Sequence, residues 1–312
     1  MLLCMETRPI GSLQASVIGL GCNNFGVRLD AAKTRAVVEA ALREGINFFD
    51  TADVYGQEKS EVFLGEALAP HRKDVLIATK FGSQLDEQRK GAHPAYVKRA
   101  LEASLQRLGT DYVDLYQIHR PDPTVPIADT LGALDELVRA GKTREIGCSN
   151  FSLAQLREAV SVVSVCGARF VSLQNEYNLL VREPELELLP YVATQQIGFL
   201  PFFPLASGLL TGKYRAGEAS PEGARLSDPT SPRAARFLST SNVARAEKLR
   251  SFAEQRGHSL LELAFSWLRG NRAVASVIAG ATQVEQVRAN AAAASWQLTA
   301  DELGEVDRLS RA

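Results

Sequence analysis

At 312 residues, 46% hydrophobic and 23% charged, the chain has enough apolar material for one large barrel-sized domain or two ordinary ones. Its 35 basic residues against 36 acidic ones leave a formal charge of -1, which gives no electrostatic case for nucleic acid or an anionic membrane as principal partner. The longest apolar runs, such as residues 260–268, carry Glu262 and Ser266 and fall short of the roughly 18 residues a membrane span needs.

The apolar start, Met1 to Met5, is cut off by Glu6 and Arg8 and lacks the pattern of a secretory signal. Cys4, Cys22, Cys148 and Cys166 show neither a CxxC nor a metal-ligand spacing. Free thiols in a reducing cytoplasm are therefore expected, with no bound metal. Residues 7–17, with Gly11-Ser12 in the middle, predict a β-hairpin that plugs the end of the fold opposite its active face.

From there, short apolar runs alternate with amphipathic stretches: residues 17–21, 46–49, 75–79, 113–118, 145–148, 170–173, 198–202 and 276–278. Such βαβα recurrence argues for a parallel sheet with helices packed outside it, and eight strands is the count of a closed (β/α)₈ TIM barrel. Asp30 opens the first helix, over residues 31–44, with Val37, Val38, Ala41 and Leu42 on one face and Gly45 as its stop. Ser152 with Gln155, Thr282 with Glu285, and Thr299 with Glu302 have the spacing of capping boxes and predict further helix starts. Residues 204–241, between strands seven and eight, show no hydrophobic periodicity and read as a long loop beside the active face. Neither an internal repeat nor a linker divides the chain, which is expected to form a single domain over residues 1–312.

The carboxyl ends of the strands carry Asn23–Asn24, Asp50, Lys80, His119, Ser149–Asn150, Gln174, Phe202 and Gly280. Barrel active sites lie at that rim, because the interior below is filled by apolar layers. The segment from Asp50 to Gly56 puts an acid at a strand end and the Tyr55 phenol five residues on. A free phenol titrates near 10, so a nearby ammonium is needed to stabilise its phenolate. Lys80 can supply it, Asp50 can hold Lys80 charged, and His119, among apolar strand residues, is expected neutral and able to orient a substrate oxygen. This is chemistry for adding a hydride and a proton to a carbonyl. The stretch Gly19 to Gly26 lacks the GxGxxG spacing of a Rossmann site. Ser149, Asn150 and Gln174 offer partners for a nicotinamide carboxamide, and Phe202 a stacking surface. Phosphates would be met after strands seven and eight, by Pro204 to Lys213 with Leu205, Ser207 and Gly208, and by Gly280 to Thr282 with Gln286 and Asn290.

Together the segments GLGCNNFG, INFFDTADVYG, LIATKFG, LGTDYVDLYQIHRPD, IGCSNF, LQNEYN, PLASGLLTGKY and IAGATQVEQVRAN resemble the aldo-keto reductase family, in the branch of bacterial reductases and potassium-channel β-subunits. The resemblance covers most of the chain. It implies an Asp50, Tyr55, Lys80, His119 tetrad, with hydride transfer from NAD(P)H to an aldehyde or ketone and Tyr55 as general acid. It also implies Ser149, Asn150 and Gln174 at the carboxamide, Phe202 beneath the ring, Leu205, Ser207 and Lys213 around the pyrophosphate, and Gly280, Thr282, Gln286 and Asn290 around the adenosine. Two positions depart from the family pattern. Thr282 stands where many members place Lys or Arg for the 2′-phosphate, and Ala289 where some have Glu. NADPH is the expected cofactor with NADH open, and Arg225, Arg233 or Arg236 is a candidate replacement cation. The expected substrate is a small carbonyl compound or a sugar; the alternative is a regulatory protein that binds NADPH as a sensor with little turnover. Composition and motifs say nothing of the oligomeric state.

Overall fold

The computed structural model describes residues 5–163 and 167–311. Thr7–Ile10 (β1) and Leu13–Ser16 (β2) form the expected antiparallel hairpin, turning at Gly11, whose φ of +58° glycine adopts without steric cost. Eight parallel strands follow: Ile18–Gly21 (β3), Phe48–Asp50 (β4), Leu76–Phe81 (β5), Val113–Ile118 (β6), Thr143–Ser149 (β7), Phe170–Glu176 (β8), Gly198–Phe202 (β9) and Val277–Gly280 (β10). Neighbours in sequence pair in register, β10 returns to β3, and Phe199 bridges to Val274 ahead of β10, so the sheet closes on itself. The fold is the (β/α)₈ TIM barrel that the strand count predicts. Helices lie between the strands, among them Ala31–Arg43 (α1), Lys59–Leu68 (α2), Pro94–Leu108 (α3), Ile127–Arg139 (α4) and Leu153–Ser161 (α5).

Every residue of β5 and β6 is buried, since one face of a parallel strand meets helices and the other meets the lumen. Phe48, Leu76, Ala78, Leu115, Val171, Leu200, Ala275 and Ile278 fill that lumen, and the hairpin adds Ile10, Leu13 and Ala15 to the same cluster. The hairpin therefore plugs the amino-terminal end of the barrel, where Ser12 N donates to Glu145 Oε1 at 2.7 Å. With that end closed, the opposite rim is the face open to ligands.

Most helix starts follow their sequence signals. Asp30 accepts from Lys33 N at 2.8 Å, Ser152 and Gln155 form the expected capping box, and Thr299 and Glu302 exchange bonds in the same manner. The expected box of Thr282 with Glu285 is absent. The helix Val284–Ala292 starts later than that spacing implies, with extended Gln283 ahead of it, and it is Gln286 whose Oε1 accepts from Thr282 N at 2.8 Å.

Residues 204–241 are less irregular than the missing periodicity implies. A 3₁₀ turn spans Ala206–Thr211, a helix spans Pro232–Phe237, and another begins at Thr240, leaving residues 212–231 without regular structure. Ser231 caps the first of these helices and Ser239 the second, while burial of Ala234 and Phe237 supplies what so short an amphipathic pattern hides. Cys22 and Cys148 are buried free thiols; Cys4 and Cys166 lie outside the described residues. Among the described residues no helix is long and apolar enough to cross a membrane, and no cluster of His, Cys, Asp or Glu is placed to hold a metal.

Candidate active site

Strand alternation builds the site. Phe48, Ala78 and Leu115 face the apolar lumen, so two residues on, each of these strands presents a polar side chain at the rim: Asp50, Lys80 and Gln117. Lys80 Nζ donates to Asp50 Oδ2 at 2.6 Å, to the Thr51 carbonyl at 2.8 Å and towards Tyr55 Oη at 3.4 Å. The other Asp50 oxygen accepts from Gln174 Nε2 at 2.9 Å and Gln117 Nε2 at 3.3 Å. Gln117 was not among the sequence candidates: its two-residue step from Leu115 is shared by any strand residue, and its register opposite Lys80 exists only once the sheet has formed. Burial works against the Lys80 ammonium, but Asp50 and Tyr55 outweigh it and hold its pKa above the usual range. For Tyr55 the balance runs the other way. Burial raises the phenol above its ordinary value, and Lys80 opposes that rise without cancelling it.

The segment after β4 carries Tyr55 back over the rim. Thr51 N donates to the Ala78 carbonyl at 2.9 Å and Asp53 N to that of Lys80 at 3.2 Å, and Gly56, Gln57 and Glu58 then turn with positive φ into α2. A methyl group at Gly56 would overlap the Phe25 carbonyl, so the rim loop after β3 packs directly against this turn.

His119 continues the inward row of β6, its N–H held by the Phe81 carbonyl at 2.7 Å. Its ring stands edge-on to Tyr55 at 5.7 Å, and Nδ1 is buried without a partner, which leaves Nε2 as the nitrogen facing the cleft. Burial, then the charges of Lys80 and Arg120, push its pKa down to about 3, so the ring is neutral near physiological pH. Asn150, at φ +61°, donates to the His119 carbonyl at 2.9 Å, and Ser149 Oγ to the Gln174 carbonyl at 2.7 Å.

Above these groups opens a cleft of about 480 Å³. Asp50, Tyr55, His119, Ser149, Asn150 and Gln174 form its floor, with Lys80 buried just beneath. Phe202, edge-to-face with Phe203 at 5.3 Å, begins one wall, and Pro204, Leu205, Ser207, Gly208 and Lys213 continue it; Gly280, Thr282, Gln286 and Asn290 line the other. Every residue expected at a cofactor is thus brought to one cleft. The Oγ of Ser207 and the Oδ1 of Asn23 are buried without a partner, and a Cβ at Gly280 would crowd the Asn24 amide at 3.1 Å. Open polar atoms beside bare backbone fit a polar ligand lying close against both loops.

Arg28, Lys213, Arg225 and Arg233 also line the cleft, and none of them has a carboxylate partner among the described residues. Arg225 donates to Asn24 Oδ1 at 2.6 Å and Arg28 to the Gly223 carbonyl at 3.0 Å, which ties the loop after β9 to the rim loop after β3. Burial, then Arg233 and Arg28, lower the pKa of Arg225; burial, then Arg28 and Arg225, lower that of Lys213. Four cations that repel one another and meet no acid make a site for a polyanion. Arg236, the third candidate from the sequence, is instead paired with Glu176 at 3.0 Å. Arg28 went unnoticed because an isolated arginine in a rim loop carries no local pattern.

Known proteins are similar to this chain in sequence and fold. The model of the Aldo/keto reductase family matches residues 17–311. A probable voltage-gated potassium channel subunit beta from Oryza sativa subsp. japonica is 35% identical over 297 residues, covering 92% of this chain and 90% of that protein. Aldo-keto reductase YhdN of Bacillus subtilis (strain 168) is 35% identical over 310 residues, covering 95% and 90%. Among solved structures, the glycerol dehydrogenase AKR11B4 from Gluconobacter oxydans superimposes with a TM-score of 0.82 at 30% identity, covering 99% of this chain and 95% of that one. With a family model that matches from the start of β3 to the end of the last helix and a barrel that superimposes on a solved structure, the chain belongs to the aldo/keto reductase family.

Proposed function

We propose that this protein is an NADP(H)-linked oxidoreductase that reduces aldehydes or ketones to alcohols, or runs the same reaction in reverse on alcohols or sugars. The observation that carries the reading is the contact of Lys80 Nζ with both Asp50 and Tyr55, beside a neutral His119. NAD(P)H is the cofactor of this family, and when bound its reduced nicotinamide supplies a hydride to the carbonyl carbon.

The side chains do the rest. His119 donates from Nε2 to the substrate oxygen and orients it. Tyr55 gives its proton to that oxygen as charge develops, Lys80 stabilises the phenolate left behind, and Asp50 keeps Lys80 charged and placed. In the oxidative direction the Tyr55 phenolate takes the alcohol proton. When the cofactor is bound, Ser149, Asn150 and Gln174 would hold the carboxamide, Phe202 would offer the nicotinamide a stacking surface, Pro204, Leu205, Ser207, Gly208 and Lys213 would meet the pyrophosphate, and Gly280, Thr282, Gln286 and Asn290 would meet the adenosine. Thr282 brings no charge to the 2′-phosphate, so the reading of NADPH over NADH rests on Arg28, Arg225 and Arg233, which meet no carboxylate among the described residues.

The test is a fluorescence titration with NADPH and NADH, followed by addition of an aromatic aldehyde while the reduced-cofactor absorbance is watched. NADPH bound more tightly than NADH, and consumed on adding the aldehyde, is the expected result. Binding without turnover across varied carbonyls would favour a regulatory NADPH sensor, and no binding of either cofactor would overturn both readings.

A further inference from the structure

Behind the Tyr55 turn lies a cluster of charges that this chemistry leaves unused. Arg107, on α3, donates through Nε to Glu61 Oε2 at 2.6 Å and through Nη1 to Glu58 Oε1 at 2.8 Å, and Arg89 reaches the same Glu58 oxygen at 2.9 Å. Thr79 Oγ1 donates to the other Glu61 oxygen at 2.5 Å. Asp53 stands beside them, 1% exposed and two residues before Tyr55, and among the described residues no side-chain donor reaches either of its oxygens. The charges that act on it are Glu61, on α2, Glu58, at the start of that helix, and Arg107, on α3; it acts in turn on the phenols of Tyr96, on α3, and Tyr116, on β6. From β5, Lys80 meets it only through a backbone carbonyl.

Two carboxylates thus share the Arg107 guanidinium, whose Nη2 donates to Ser104 Oγ at 3.1 Å; Asp53 feels its charge without bonding it, and Arg89 divides itself between Glu58 and Asp86. Glu61 and Glu58 take the side-chain donors, and the backbone N–H of Val54 alone does not offset the cost of a buried carboxylate, so the extra proton belongs on Asp53. Burial, then Glu61, raises the Asp53 carboxyl to about 7. Glu58 has a reason of its own to matter. Its φ of +73° is an unfavourable conformation for a residue with a side chain, and its bonds to Arg107 and Arg89 hold it there, at the end of the turn that begins at Tyr55.

We propose that Asp53 is a positioning residue for Tyr55: as a neutral acid it leaves Arg107 to Glu58 and Glu61, and as a carboxylate it competes for Arg107 and loosens the turn from Tyr55 to α2. The proton is lost to solvent; the Asp53 O–H is the one covalent bond broken, and the hydrogen bonds of Arg107 are what rearrange. The effect on turnover rests on the reductase reading; the effect on the turn does not.

Backbone hydrogen exchange of residues 55–61, expressed as protection factors between pH 6 and 8, tests the structural half. In the wild-type protein protection should fall roughly tenfold over that range, and in Asp53→Asn it should stay level. The kinetic half is the pH dependence of kcat for an aldehyde, with KM followed alongside. Wild-type kcat should lose roughly tenfold between pH 6 and 8 and Asp53→Asn should lack that loss, with KM moving little in either, because a misplaced proton donor costs rate rather than binding. Level wild-type protection overturns the proposal without any variant, which also covers the case of a variant that fails to fold. Equal pH dependence of protection in wild type and Asp53→Asn overturns it too. Variant-specific protection with identical kcat profiles removes the link to Tyr55. Absent turnover in both proteins would count against the reductase reading, and the exchange data would still decide whether Asp53 governs the turn.

Discussion

Lys80 is fully buried with its ammonium on Asp50, and a buried pair of this kind is far more costly to break than to replace. Lys80→Met should therefore destabilise the protein by about 3–5 kcal/mol, read from urea unfolding, because it strands the Asp50 carboxylate. It should also raise the pKa of the Tyr55 phenol further, since Lys80 is what opposes the effect of burial. A kcat profile for alcohol oxidation shifted to higher pH is the expected sign. Tyr55→Phe separates chemistry from folding: kcat should drop by roughly 10² to 10⁴ with NADPH affinity nearly unchanged, as for loss of a general acid. His119 makes a prediction in stability. Its folded pKa of about 3 lies below the ordinary 6.5, so the neutral ring contributes stability that is fully present above pH 6.5 and is lost as pH falls towards 3. In urea midpoints measured from pH 7 to 4, His119→Gln should lose less stability on acidification than the wild-type protein. Asp50, Lys80 and His119 were legible because they lie at strand ends, and Tyr55 because it follows one of those ends at a short spacing. Gln117 and Arg107 were not, since a glutamine inside a strand and an arginine on a helix look alike whether they face solvent or a buried acid.

Elements were legible where the pattern is local. The eight strands follow from apolar runs, and α1 follows from Asp30 and its apolar face. What local pattern does not encode is how closely two elements approach. In α2, a methyl group on Gly65 would overlap the backbone of Leu108 at the end of α3, so this glycine is where the two helices touch. In α4, Gly132 has nothing within 4 Å of the same position. The two glycines look equivalent in the sequence and should respond oppositely to alanine. Gly65→Ala should cost about 1–3 kcal/mol, by forcing the helices apart, whereas Gly132→Ala should gain about 0.5–1 kcal/mol by removing backbone entropy from the unfolded chain. Urea unfolding of both variants checks the sign. The helix at Pro232–Phe237 shows the converse limit: its Ser231-Pro232 start is a readable cap, but six residues are too few for a period to stand out from a loop.

At the scale of the whole molecule, a net charge of -1 conceals an uneven field. The plugged end of the barrel leaves one open rim, and Arg28, Lys213, Arg225 and Arg233 gather there with no carboxylate partner among the described residues. Lys213, Arg225 and Arg233 were legible in the sequence as candidates, but Arg28 was not, because it comes from the rim loop after β3 and meets the other three only when the barrel closes. Such a cluster strains the unliganded protein and is relieved by a polyanion, so ligand binding should appear as stability. A ligand at about 100 times its Kd adds roughly 2.7 kcal/mol, enough to move the melting temperature by several degrees. At equal millimolar concentration, 2′,5′-ADP should raise the melting temperature more than 5′-AMP, because only the former carries a 2′-phosphate. The gap between them should narrow with added salt and close in Arg225→Ala. A gap that survives Arg225→Ala at full size would take the 2′-phosphate away from Arg225 and leave it to Arg28 or Arg233 across the same cleft.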